Sequence, residues 1–110
     1  MDSSQPASPA GDGQARGPAA TVQGYFAAIT RQDYHRAWVL GGRSNNTSYR
    51  SFTRGLRHTA RDTVTIISVT GPDVRARLRA QGTDGTMHMF QGTYVVRGGV
   101  ITQFRVRRIS

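Results

Sequence analysis

The side chains of this 110-residue chain that could move a proton near neutrality are few: three histidines and six aspartates, with four tyrosines as hydrogen-bond donors and no cysteine. A chain without cysteine holds no disulfide, no thiolate metal ligand and no thiol nucleophile. His35, His58 and His88 stand at separations that match no zinc-binding spacing. His35 falls on the outer side of a short helical segment, and His58 near a helix C-terminus, where an imidazole complements the macrodipole. His88 is the most suggestive of the three, because it shares a strand phase with Phe90 and Tyr94. Asp33 and Asp62 are available carboxylates, but Asp33 suits a helix N-cap and Asp62 a strand entrance or helix end. The glycine pairs in "GGR" and "RGG" lack the strand-turn-helix context of a phosphate loop, and no nucleophile elbow is present.

A different chemistry is suggested by "RARLRAQ", residues 75–81, where arginine occupies every second position. The chain carries 15 basic residues against 6 acidic ones, a net charge of +9, and every one of them is arginine or aspartate. Such a balance attracts polyanions at low salt. Uniform use of arginine and aspartate also fits codon bias in a high-GC bacterial genome, which weakens an argument from charge alone. Single-strand recognition further needs aromatic rings beside the cations, and the arginine-bearing phases contain none. The basic surface to be located is therefore Arg75, Arg77, Arg79, Arg105 and Arg107, with nucleic acid the least supported of its partners.

The elements that position these residues follow from periodicity. "MDSSQPASPAGDGQARGP", residues 1–18, is rich in Ser, Pro, Gly and Ala and reads as a disordered tail or linker ahead of a domain over 19–110. Val22, Tyr25, Phe26 and Ile29 then recur at helical spacing. Asp33 caps a second helix, "YHRAWVLGG", whose inward residues are Tyr34, Ala37 and Trp38 before two glycines stop it. Thr47 or Ser48 caps a third, turning Tyr49, Phe52 and Leu56 inward and ending near His58–Arg61. From Asp62 the period becomes two. "TVTIISVT", "VRARLRA", "TMHMFQGTYVVR" and "VITQFRVRR", separated by "GPD", "DG" and "GG", predict four antiparallel strands in a meander. The fold class is α+β: N-terminal helices packed on a curved four-stranded antiparallel sheet. No window approaches the roughly 20 apolar residues of a membrane span.

The order of elements, together with "VQGYFAAITRQDYHRAWVL" and the final hairpin "FQGTYVVRGGVITQFRVRR", resembles the nuclear transport factor 2-like (SnoaL-like) superfamily from Ala19 onward. That resemblance implies a cone with an internal pocket, for which Tyr25, Trp38, Phe52, His88, Phe90 and Tyr94 are the lining candidates. Ketosteroid isomerases of the superfamily use a first-helix tyrosine, matched by Tyr25, and a carboxylate base from the segment after the second helix. Here that segment, "GGRSNNTSYRSF", has no carboxylate. An oxyanion donor without a base cannot take a proton from carbon. The reading is accordingly a small noncatalytic module for a small apolar ligand or a protein partner, its cavity small or closed, tethered as an accessory domain through the N-terminal linker. A bacterial source, and a cytoplasmic or extracytoplasmic location, are expected. No catalytic residue, metal or cofactor is expected. The alternatives are a small isomerase, cyclase or dehydratase using Tyr25 and His88, and a polyanion-binding protein using the arginine face. Homodimerisation through the sheet, with Met87, Met89 and Val95 in contact, is a further expectation.

Overall fold

The computed structural model describes residues 17–45 and 47–110. The expected tail lies, up to residue 16, outside them, whereas Pro18 already stands in the first turn of a helix. Among the described residues three helices, α1 (Pro18–Thr30), α2 (Tyr34–Leu40) and α3 (Tyr49–Leu56), precede four strands, β1 (Thr59–Thr70), β2 (Asp73–Gly82), β3 (Met87–Arg97) and β4 (Val100–Arg108). The fold class is α+β, and the strands form an open antiparallel sheet in the order β1-β2-β3-β4. Helices on one face of a meander follow from the switch of hydrophobic period near residue 59.

Pro18 opens α1, where its missing N–H costs nothing. The stripe Val22, Tyr25, Phe26 and Ile29 is buried against the sheet. Gln32, at φ 64, turns the chain out of α1, and Asp33 then accepts a hydrogen bond from the Arg36 backbone N–H at 3.4 Å to cap α2. Gly41 ends α2 against β4: a Cβ there would lie 3.1 Å from the Ile101 Cβ, so a larger residue would hold the two elements apart. A 3₁₀ turn, Gly42–Asn45, leads to α3, capped by Ser48, whose Oγ accepts from the Ser51 N–H at 3.1 Å. Two expectations for α3 are corrected. It ends at Leu56, and the chain is already extended from Thr59. Tyr49 is 42% exposed, because α3 is tilted so that only Phe52 reaches the core and Leu56 packs at its margin.

In β2, Val74, Ala76 and Leu78 are buried and Arg75, Arg77 and Arg79 exposed, the alternation a half-covered strand requires. Gly98 and Gly99 join β3 to β4 with φ of 60° and 75°, the two left-handed positions of a type I′ hairpin. Gly92 has another reason to be glycine: a Cβ would stand 2.6 Å from the Val106 Cα and collide with the Arg105 carbonyl. Bulges between Ile66 and Ser68 in β1 and at Thr102 in β4, opposite Val95–Val96, interrupt the ladders, and such insertions bend and twist a sheet. The core sits between α1 and the inner face. Fully covered Val22, Val74 and Ile101 each contribute about 1.5–3 kcal/mol of hydrophobic stabilisation.

Candidate functional site

Four rings organise the inner face. Tyr25 stacks edge-on to Phe26 at 4.9 Å and leans on Phe104 at 5.6 Å, while Tyr94 meets Phe26 at 5.6 Å and Phe104 at 5.7 Å. Each pair lies in the range where aromatic quadrupoles attract. The cycle holds two phenols inside the protein, with Tyr25 5% and Tyr94 1% exposed. Neither hydroxyl has a hydrogen-bond partner among the described residues, which is uncommon for a buried polar group.

Beside this cycle lies an open cavity of about 560 Å³. Its walls come from the second half of α1 (Tyr25, Phe26, Ile29), the α3–β1 junction (Leu56, His58), the far end of β2 (Leu78, Ala80) and the start of β3 (His88, Phe90). The β2–β3 turn forms its rim. The Thr83 N–H donates to the His58 carbonyl at 3.0 Å, fastening that turn to the junction between α3 and β1. Within the turn Asp84 accepts from the Thr86 hydroxyl at 2.7 Å and the Thr86 N–H at 3.0 Å, and these bonds hold its carboxyl below the usual range.

The residue the sequence argument passed over is Asp62. It stands on β1, in phase with half-buried Val64 and Ile66, and lines the cavity with Tyr25. Thr30, the last residue of α1, positions it: the Thr30 hydroxyl donates to the Asp62 carbonyl at 3.1 Å and accepts from the Asp62 N–H at 2.9 Å. Burial raises the Asp62 carboxyl from 3.8 to about 6. Burial, with the negative charge of Asp62 adding to it, also pushes the Tyr25 and Tyr94 phenols above their ordinary value. Among the described residues the Asp62 side chain has no hydrogen-bond partner. The missing carboxylate of the segment after α2 is thus matched by one from β1, and the signal for it was the phase Asp62, Val64, Ile66.

Of the expected pocket residues, Tyr25, His88 and Phe90 share this cavity. Tyr94 lines an adjoining hollow of about 210 Å³ together with Tyr25 and Phe90. Trp38 and Phe52 are elsewhere: Trp38 packs on Tyr49 at 5.6 Å and on Phe52 at 5.5 Å, a cluster that ties α2 to α3. His35 extends that cluster, at 6.4 Å from Tyr49. The expectation of a small or closed interior gives way to an open one, because α3 is short and leaves the end of the sheet near His58 uncovered.

The arginines occupy the opposite face. Cross-strand register aligns Thr65, Arg77, Gln91 and Arg107 in one row and Ser68, Arg75, Thr93 and Arg105 in the next. Arg77 donates twice to the Gln91 side-chain oxygen, at 3.2 and 3.1 Å, and Arg105 to that of Gln103 at 2.9 Å. On the same face Met87 is 39% exposed, but Val95 is buried within the single chain and has little surface to offer a second copy. Among the described residues no group of three or more His, Cys, Asp and Glu is arranged to hold a metal ion. Among the described residues no helix is long and apolar enough to cross a membrane. No protein-family model matches the chain, and no curated protein is significantly similar to it.

Proposed function

We propose that this chain is a small-ligand-binding module of the nuclear transport factor 2-like kind, which takes a compact, largely apolar molecule into the cavity beside Tyr25 and Asp62. The observation that carries the reading is a buried phenol and a half-buried carboxyl, neither with a hydrogen-bond partner among the described residues, lining one cavity whose other walls mix apolar side chains such as Phe26, Leu78 and Phe90 with polar ones such as His58 and His88. Desolvating both groups costs stability, and a ligand that hydrogen-bonds to them recovers it. A volume of about 560 Å³ falls within the range of small-molecule sites. The likeness in fold rests on the order of elements and on Tyr25 facing the pocket from α1. The uncharged fluorophore N-phenyl-1-naphthylamine tests it: fluorescence enhancement on binding is expected, and its loss in Ala80→Trp, which fills the cavity from β2. No enhancement, or enhancement equal in both proteins, removes the pocket as a binding site.

A second reading has one specific observation in its favour. Tyr25, His88 and Asp62 line one open cavity, so a donor and a base stand together as enolisation of a carbonyl compound requires. Exchange of α-protons of a small cyclic ketone into deuterated water, abolished in Asp62→Asn and reduced in Tyr25→Phe, supports that reading; exchange at the uncatalysed rate removes it.

A further inference from the structure

The cavity differs from the rest of the molecule in its charge. Of the 14 arginines among the described residues none lines the cavity, while Asp62 and Asp84 both do. The Asp62 carboxyl is shifted by burial alone, with no guanidinium offsetting it. Tyr25, Phe26 and Phe90 present rings to the same space. A carboxylate without a counter-ion, a buried phenol oxygen without a partner and aromatic walls together make a receptor for a cation rather than an anion.

We propose that the ligand of this cavity is an organic ammonium ion on a compact apolar or aromatic body. Asp62 accepts hydrogen bonds from the ammonium, the Tyr25 oxygen accepts one more, and the rings of Phe26 and Phe90 pack on the body. Asp84, kept ionised on the rim by Thr86, draws the cation to the entrance. The positive outer face does not cancel this attraction. Its guanidiniums stand on the far side of the sheet, and at physiological salt charges are screened beyond about 8 Å.

The inference rests on the pocket reading above and adds a sign to it, so the two are separable by experiment. Binding of 2-naphthylmethylamine and of uncharged 2-naphthylmethanol is measured by calorimetry at 0.15 M salt, with wild type and Asp62→Asn. At pH 7.5 the ammonium is expected to bind at least about tenfold tighter than the alcohol, and Asp62→Asn to erase that preference. Binding of the ammonium should weaken from pH 7.5 to 5 as Asp62 takes up a proton. The other titratable groups facing the site are Tyr25 from α1, His58 from the α3–β1 junction, Asp84 from the β2–β3 turn and His88 from β3, with Tyr94 of β3 in the adjoining hollow. Protonation of either histidine acts in the same direction, whereas the tyrosines stay neutral and Asp84 stays charged over that interval. The Asp62→Asn profile therefore reports how much of the pH dependence belongs to Asp62. Equal affinity for the two probes, tighter binding of the alcohol, or a preference that survives Asp62→Asn overturns the cation assignment and leaves the pocket reading standing. Absence of binding by both probes removes both.

Discussion

Replacing Asp62 by asparagine should stabilise the fold, and only where the carboxyl would be charged. Burial raises its pKa from 3.8 to about 6, so folding works against the ionised form by at most about 3 kcal/mol, at 1.36 kcal/mol per unit. The side chain is half-buried and borders an open cavity, so water screens part of this, and about 1–2 kcal/mol is the expected effect. The sign follows from proton counting. Between pH 4 and 6 the folded protein holds the Asp62 proton more tightly than the unfolded chain, so this group lowers stability progressively as pH rises through that interval. Well below pH 4 both states are protonated and the penalty vanishes; at pH 4 only its first few tenths of a kcal/mol have developed. Asp62→Asn should therefore nearly match wild type at pH 4, separate from it between pH 4 and 6, and level off about 1–2 kcal/mol more stable at pH 7.5. For a domain of this size that amounts to a rise of roughly 5–10 °C in Tm. Urea unfolding at pH 4, 5.5 and 7.5 measures it. A stability difference that does not change with pH, or a variant less stable at pH 7.5, refutes the argument that Asp62 is an unpaired, desolvated carboxyl.

Other outcomes follow from the same structure. Gly92→Ala places a Cβ against the β4 backbone at Arg105 and Val106, and is expected to cost more than about 4 kcal/mol, seen as loss of the cooperative thermal transition; a drop of less than 1 kcal/mol contradicts the close approach of β3 and β4. Arg75→Gln, Arg77→Gln and Arg105→Gln together should leave Tm within about 2 °C while lowering the salt concentration of elution from heparin, because these side chains are exposed and paired only with neutral groups. Unchanged elution would locate the polyanion affinity elsewhere. Sedimentation at high concentration tests the sheet face as a dimer contact, and with Val95 already covered and arginines aligned across the face, a monomer is expected.

The sheet could be read from residues because its local rules agree: alternation in "VRARLRA", a glycine pair for a type I′ turn and β-branched runs all point to one register. α1 is legible for the same reason, its apolar stripe being long enough to show a period. The site is legible only in part. Tyr25, His88 and Phe90 were placed by strand phase and helix spacing, but Trp38 and Phe52 were assigned to the same pocket although helical periodicity says which face is buried and not what covers it. Asp62 was weighed as a carboxylate and set aside as a strand-entrance or helix-end residue, because "RDT" looks like a boundary. β1 in fact begins three residues earlier, and the aspartate then falls in the inward phase with Val64 and Ile66. The openness of the cavity depends on where α3 stops, which is set by tertiary packing of Phe52 and Leu56 more than by any stop signal in "GLRHTA".

The central claim is that this protein binds its ligand on the inner face, beside Tyr25 and Asp62, and not on the arginine face. An amide NMR titration with 2-naphthylmethanol tests it most directly. Saturating shifts at Leu78, Ala80, His88 and Phe90, with Arg75, Arg77, Arg105 and Arg107 unmoved, are the predicted result. Shifts confined to the arginine rows, or none on either face, would contradict it.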